Sequence, residues 1–282
     1  MTDESGRPPI GMAAEKTSEI LTEQSAGVLG IQFNRPTKKN ALTGNMYSTV
    51  AELINAAAED GQIRVVLLHG AGDAFTAGND LDDFLRNPPR AGDSVQERFV
   101  TALINFEKPV IAAVHGATVG SGATMLSHCD FVYAAESTLF QLPFINLAVV
   151  PELGTSFLIP AQIGHLAAAE LLLLGMPFGA RRAAELGLVT RVVSDDRLLA
   201  TAMETAQALA AKPAAALQAS KRLLKRWSRE RTESAVLEEI QEFGARVRSK
   251  ESRDAITALL ERRRPDSSHV KSATGGRPEL QP

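Results

Sequence analysis

Lys108-Pro109-Val110-Ile111-Ala112-Ala113-Val114-His115-Gly116, followed closely by Gly120-Ser121-Gly122, is the stretch on which the reading of this chain turns. Pro109 to Val114 is a short apolar run between Pro and Gly signals, as in a strand covered on both faces. The glycines and serine after it form a tight turn, and a helical stretch starts at about Ser121. Such a helix start leaves backbone N–H groups free and uncluttered, as a phosphate or an oxyanion requires. A hydrolase nucleophile elbow needs glycine two residues before the serine, and Val119 stands there. Ser121 therefore reads as small filler in the turn.

Outward from this segment the chain alternates. Val28 to Phe33 and Ile63 to Leu68 are further strands, and Asp130 to Ala134 is a shorter one. Thr43 reads as an N-cap, and Met46, Val50, Leu53, Ile54 and Ala57 lie on one helical face that Gly61 ends. Strands separated by helices call for crossover connections and covered sheet faces, hence an α/β core. From about Gly154 the pattern is nearly all helical, with Ser194-Asp195-Asp196 as a helix start, Lys212-Pro213 as a break and Ala214 to Trp227 as the next helix. The expected organisation is a disordered tail over 1–25, the α/β core over 26–200, a helical region over 201–264 and a second disordered tail over 265–282.

Composition excludes several classes. The chain carries 30 Lys and Arg against 33 Asp and Glu, so it is not a strongly basic nucleic-acid binder. Its single cysteine, Cys129, rules out an intrachain disulfide and a Cys-rich zinc site. No apolar run reaches the roughly 18 residues of a membrane helix. Residues 1–16 lack the apolar centre of a secretory signal, so the cytoplasm is the expected location. Gly70-Ala71-Gly72 begins like a dinucleotide fingerprint, but Phe75 occupies the third glycine's place. The five histidines show no metal-ligand spacing, so structural roles and no metal are expected.

Two further segments bear on chemistry. Phe75 to Leu81 reads as a strand-to-helix turn that Asn79 or Asp80 caps. In Val150-Pro151-Glu152-Leu153-Gly154 one carboxylate stands among apolar residues. It is either a helix-start acid favoured by the dipole or a desolvated base with a raised pKa, and spacing leaves both open.

Taken together, Phe33-Asn34-Arg35-Pro36 with Asn40-Ala41-Leu42, Phe75 to Leu81, Lys108 to Gly116, Gly120 through Asp130, and Gly187-Leu188-Val189 resemble the crotonase superfamily, the enoyl-CoA hydratases and isomerases, from about Val28 to about Pro265. The resemblance implies a spiral of ββα turns followed by helices, assembled as a homotrimer or a dimer of trimers. It implies an acyl-CoA substrate, with no cofactor beyond the coenzyme A of that substrate and neither nucleic acid nor membrane as partner. By position, the two backbone N–H groups that hold a thioester enolate fall at Ala77 and Ser121. Acyl-CoA contacts are expected at Lys38, Lys39, Ala41, Gly78, Asn79, Asp80 and Leu81, and an acyl pocket at Leu142, Phe144 and Val150. The two water-handling glutamates of hydratases would fall at Thr124 and Phe144, and neither is an acid. Glu152 falls where the peroxisomal-type Δ3,Δ2-enoyl-CoA isomerases keep a single glutamate, and Thr76 to Leu81 and Pro143-Phe144 are also similar to that subgroup. The serine-lysine-leucine ending of its eukaryotic members is absent from Glu279-Leu280-Gln281-Pro282. The implied activity is isomerisation of 3-enoyl-CoA to 2-trans-enoyl-CoA in β-oxidation, with Glu152 as acid/base. Hydration, thioester hydrolysis, and silent acyl-CoA binding are the alternatives.

Overall fold

The computed structural model describes residues 18–87, 92 and 94–261. The strands are β1 (Ile20–Ser25), β2 (Val28–Phe33), β3 (Val65–Gly70), β4 (Ala74–Thr76), β5 (Val110–Val114), β6 (Ala117–Val119), β7 (Phe131–Ala135), β8 (Leu139–Gln141), β9 (Phe178–Gly179) and β10 (Arg191–Val193). The helices are α1 (Gly44–Glu59), α2 (Leu81–Arg86), α3 (Val95–Asn105), α4 (Ser121–Thr124), α5 (Thr155–Ile163), α6 (His165–Leu174), α7 (Ala180–Glu185), α8 (Leu198–Ala210), α9 (Ala214–Lys225), α10 (Arg229–Val247) and α11 (Lys250–Leu260).

The apolar strands read from the sequence form the centre of a six-stranded sheet ordered β1-β2-β3-β5-β7-β10. It is parallel from β2 onward, and its middle strands are buried on both faces. A second sheet, β4-β6-β8-β9, stands beside it. Each turn of the chain places one long strand in the first sheet and one short strand in the second: β3 then β4, β5 then β6, β7 then β8. This is the expected ββα spiral. Thr43 caps α1 by accepting the Met46 N–H at 3.2 Å, and Met46, Val50, Ile54 and Ala57 are buried against the sheet.

Two boundaries differ from the sequence reading. Ile20–Ser25 is not tail but the edge strand β1, paired antiparallel with β2 through the two-residue turn Ala26-Gly27, both at positive φ. Only Ile20 of β1 is buried, so the strand has no apolar alternation to reveal it. β10 adds a parallel strand beside β7 inside a region whose pattern is otherwise helical. The remaining tail segments, 1–17 and 265–282, lie outside the described residues.

The second sheet brings three loops together. β4, β6 and β8 are adjacent and parallel, with Thr76 opposite Thr118 and Val119 opposite Gln141. Their carboxyl ends release, side by side, the loop 77–80, the turn at Gly120 and the loop 142–154. The crevice at the carboxyl ends of parallel strands is where ligands bind in open α/β sheets. Gly122 lets α4 close on β4, because a Cβ there would lie 2.6 Å from Thr76 Cγ2 and 2.9 Å from Thr76 O.

Candidate active site

A cavity of about 350 Å³ opens where these three loops meet. Ala77 to Leu81 form one wall, Gly120 and Ser121 another, and Pro143, Phe144, Leu147 and Val149 a third. Phe243 of α10 and Ile256, Leu259 and Leu260 of α11 cover it, and Lys38 and Ala41 also line it. Glu152 is its one buried carboxylate.

Glu152 is 8% exposed and stands before α5 rather than inside its first turn. Leu153 and Gly154 follow at φ +60 and +79, so the chain turns sharply just after it. Thr155 Oγ1 donates to the Glu152 carbonyl at 2.6 Å, and the His128 ring N–H donates to the Leu153 carbonyl at 2.7 Å. A left-handed leucine is strained, and these bonds hold it. The dipole-favouring role open to Glu152 in the sequence belongs to another residue: Glu239 of α10 accepts the Gly154 and Ser156 N–H groups at 2.6 and 2.7 Å.

The Glu152 carboxyl is free to face the cavity. Ser121 Oγ donates to Glu152 Oε1 at 2.5 Å. Asn79 Nδ2 lies 3.4 and 3.5 Å from its two oxygens, and Asn79 Oδ1 accepts from the Tyr47 hydroxyl at 2.7 Å. Burial pushes the Glu152 pKa up to about 7, against the opposing hydrogen bonds from Ser121 and Asn79. Burial also lifts the Tyr47 phenol well above its ordinary 10.0. The hydroxyl of Ser121 is therefore a partner of the carboxylate and not mere filler.

The backbone amides separate the two expected donors. The Ala77 N–H is occupied, donating to the Lys39 carbonyl at 2.9 Å. Gly78, at φ +83, turns the chain next. The Gly78 carbonyl and the Asp80 N–H then both bond Leu42, so the intervening Asn79 N–H faces the opposite way. Among the described residues neither the Asn79 N–H nor the Ser121 N–H, at the start of α4, donates to a protein acceptor. The two loops run close together, since a Cβ on Gly78 would lie 2.6 Å from Val119 O and 3.5 Å from Ser121 N. Asn79 thus replaces Ala77 as the free amide.

Of the other expected residues, Lys38, Ala41, Gly78, Asn79, Asp80, Leu81 and Phe144 line the cavity. Lys39, Leu142 and Val150 do not. Lys39 is an exposed partner of Asp73 at 3.0 Å, Leu142 is buried in the apolar cluster behind the wall, and Val149 takes the lining place of Val150. Asp80 caps α2 and pairs with Arg35 at 3.0 Å. The sequence reading missed Tyr47, Glu239 and the lining of α11. Tyr47 sits one residue off the apolar stripe of α1, a polar-tipped aromatic in a first turn, and that was the available signal.

The enoyl-CoA hydratase/isomerase family matches residues 23–269. The chain belongs to that family. This hydratase/isomerase chain is 33% identical over 256 residues to Enoyl-CoA delta isomerase 2 of Rattus norvegicus, covering 89% of this chain and 65% of the relative. The chain thus spans less than two thirds of that relative's length. It is 34% identical to the 1,2-epoxyphenylacetyl-CoA isomerase of Escherichia coli strain K12, covering 87% and 97% of the two chains. Among solved structures, an enoyl-CoA hydratase/isomerase from Pseudoalteromonas atlantica superposes with a TM-score of 0.83 at 38% identity, over 88% of this chain and 99% of that one. The crotonase resemblance and fold stand.

Proposed function

We propose that this protein is a Δ3,Δ2-enoyl-CoA isomerase, which moves a double bond from C3 to C2 of an acyl-CoA thioester. The observation that carries this is Glu152, the one buried carboxylate lining the cavity, beside two amides that are unpaired among the described residues. The shift needs a proton removed from C2 and one delivered to C4, and one base over that face of the acyl chain does both. A pKa of about 7 suits a group that must take and return a proton near neutrality. The Asn79 and Ser121 N–H groups would hold the thioester oxygen as it gains charge. Phe144, Leu147, Phe243 and Ile256 would accept an aliphatic chain and exclude water. Lys38, which lines the cavity, would meet coenzyme A phosphate, and the chemistry calls for no cofactor of its own.

Hydration is disfavoured by the residues at hand. Thr124 is buried with its hydroxyl toward the Ser121 carbonyl, and Phe144 is apolar. Glu239 lies outside the acyl cavity. Among the described residues no helix is long and apolar enough to cross a membrane. The cytoplasm and the trimer, or dimer of trimers, belong to the same proposal. Leu166, Leu173 and Leu174 of α6 and Leu223 and Leu224 of α9 offer exposed apolar surface for assembly.

An absorbance assay tests this reading with the two substrates supplied separately. A 3-enoyl-CoA should gain the absorbance of the conjugated 2-enoyl thioester, and a 2-enoyl-CoA alone should keep it. Loss of that absorbance from 2-enoyl-CoA would establish hydration instead.

The Ser121 hydroxyl gives a pH prediction. It favours the ionised form of Glu152, so Ser121→Ala should raise the Glu152 pKa. The base is active when deprotonated, so the acid limb of kcat/KM should move to higher pH by roughly half a unit or more. The backbone donor survives the change, so activity well above that limb should recover. A pH–rate profile of the folded variant checks this.

A further inference from the structure

Glu239 is a buried carboxylate that the proposed reaction does not use. It reaches from α10 to the first turn of α5 and accepts the Gly154 and Ser156 N–H groups, so it fastens the chain two residues after Glu152. Glu239 and Glu152 also share the lining of a second, much smaller cavity of about 20 Å³, with Ser94, Gln96, Val100 and Phe243 among its walls. That space holds about one water molecule, so little solvent screens one carboxyl group from the other.

We propose that Glu239 is a positioning residue for Glu152: it holds the turn that aims the Glu152 carboxyl into the acyl cavity, and its own negative charge raises, beyond the effect of burial, the pH at which that carboxyl gives up its proton. The proposal rests on the reading of Glu152 as the base. The order of ionisation follows from the partners. Burial raises the Glu239 pKa too, but its two backbone N–H donors at the positive end of α5 oppose that by favouring its anion. Glu152 has one hydroxyl donor and two long amide contacts. Glu239 therefore ionises first, and Glu152 must then charge beside a like charge.

The other titratable groups facing this pair do not compete. Burial keeps Tyr47 of α1 protonated and lowers His128 to about 4, so both stay neutral near pH 7. Glu238, next along α10, adds a like charge to Glu239. On α3, Ser94 and Gln96 are uncharged and the Glu97 carboxylate turns to the Gly92 N–H. Lys250 and Asp254 of α11 pair with each other at the surface.

Two measurements test the coupling. In Glu239→Gln the like charge is gone, so the acid limb of kcat/KM should move to lower pH by about one unit, and Glu239→Asp should restore it towards wild type. Infrared titration of the wild type, its bands assigned with Glu152→Gln, should show the Glu239 carboxyl losing its proton at lower pH than Glu152, because the repulsion falls on whichever group ionises second. That second measurement leaves position 239 intact and needs no turnover, so it decides the matter even where Glu239→Gln fails to fold. A Glu239 carboxyl that ionises after Glu152, or an unmoved limb in folded Glu239→Gln, would reduce Glu239 to a helix cap. Full activity of Glu152→Gln would instead overturn the reading of Glu152 as base, a result separable from the infrared one.

Discussion

Glu152→Gln should lower turnover of a 3-enoyl-CoA by ~10²–10⁴-fold, the usual cost of removing a general base. Glutamine matches glutamate in shape and still accepts a hydrogen bond from the Ser121 hydroxyl, so the cavity walls stay in place. It has no basicity to take the C2 proton. The loss should therefore fall on kcat, with KM little changed, because the acyl chain and the thioester meet the same surfaces in both proteins. A folded variant with near-normal turnover would remove Glu152 from the mechanism.

The same substitution should stabilise the fold. The Glu152 carboxyl titrates near 4.5 when unfolded and at about 7 when folded, chiefly because burial disfavours its charge. The folded state thus binds the proton more tightly, and stability falls as pH rises from about 4.5 through 7. Above that window the buried anion costs on the order of 3 kcal/mol. Glutamine never charges, so at pH 8 its melting temperature should exceed that of the wild type by several degrees, and at pH 4 the two should nearly coincide. A more stable, inactive protein is the signature of a group kept in place for chemistry.

How much of the structure was legible in the sequence varied with the kind of residue. The central strands were, because both faces of β3, β5 and β7 are covered and their residues are continuously apolar. The edge strand β1 was not, since only one of its residues is buried and a polar edge looks like a tail. Glu152 was conspicuous as a lone acid between apolar residues. Whether it served the helix or the cavity depended on Glu239, which is 87 positions further along the chain and takes the helix for itself. The choice between Ala77 and Asn79 was equally hidden. It rests on Gly78 lying at positive φ, which decides the side of the loop on which each N–H emerges. Neither composition nor spacing records that turn.

That turn is the most exposed point of the proposed mechanism, and Gly78→Ala tests it. A Cβ at position 78 would meet Val119 O at 2.6 Å, and the residue would sit at φ +83, where a side chain is strained. The contact is with backbone, so relief requires the loop 77–80 to move away from the strand that leads into Gly120. The Asn79 N–H moves with the loop, while the Ser121 N–H is fixed by α4. The two donors would no longer converge on one oxygen, and loss of one such donor typically costs ~10²–10³ in kcat. The fold should survive with a reduced melting temperature, because Asn40 anchors the preceding loop through the Ala71 and Ala74 carbonyls and Arg35 still pairs with Asp80. Coenzyme A without an acyl group has no thioester oxygen, so its affinity should change little while turnover falls. A folded Gly78→Ala protein with wild-type turnover would exclude the amide pair. Equal losses of coenzyme A binding and turnover would mean that the loop holds the nucleotide end of the substrate rather than the reacting carbonyl.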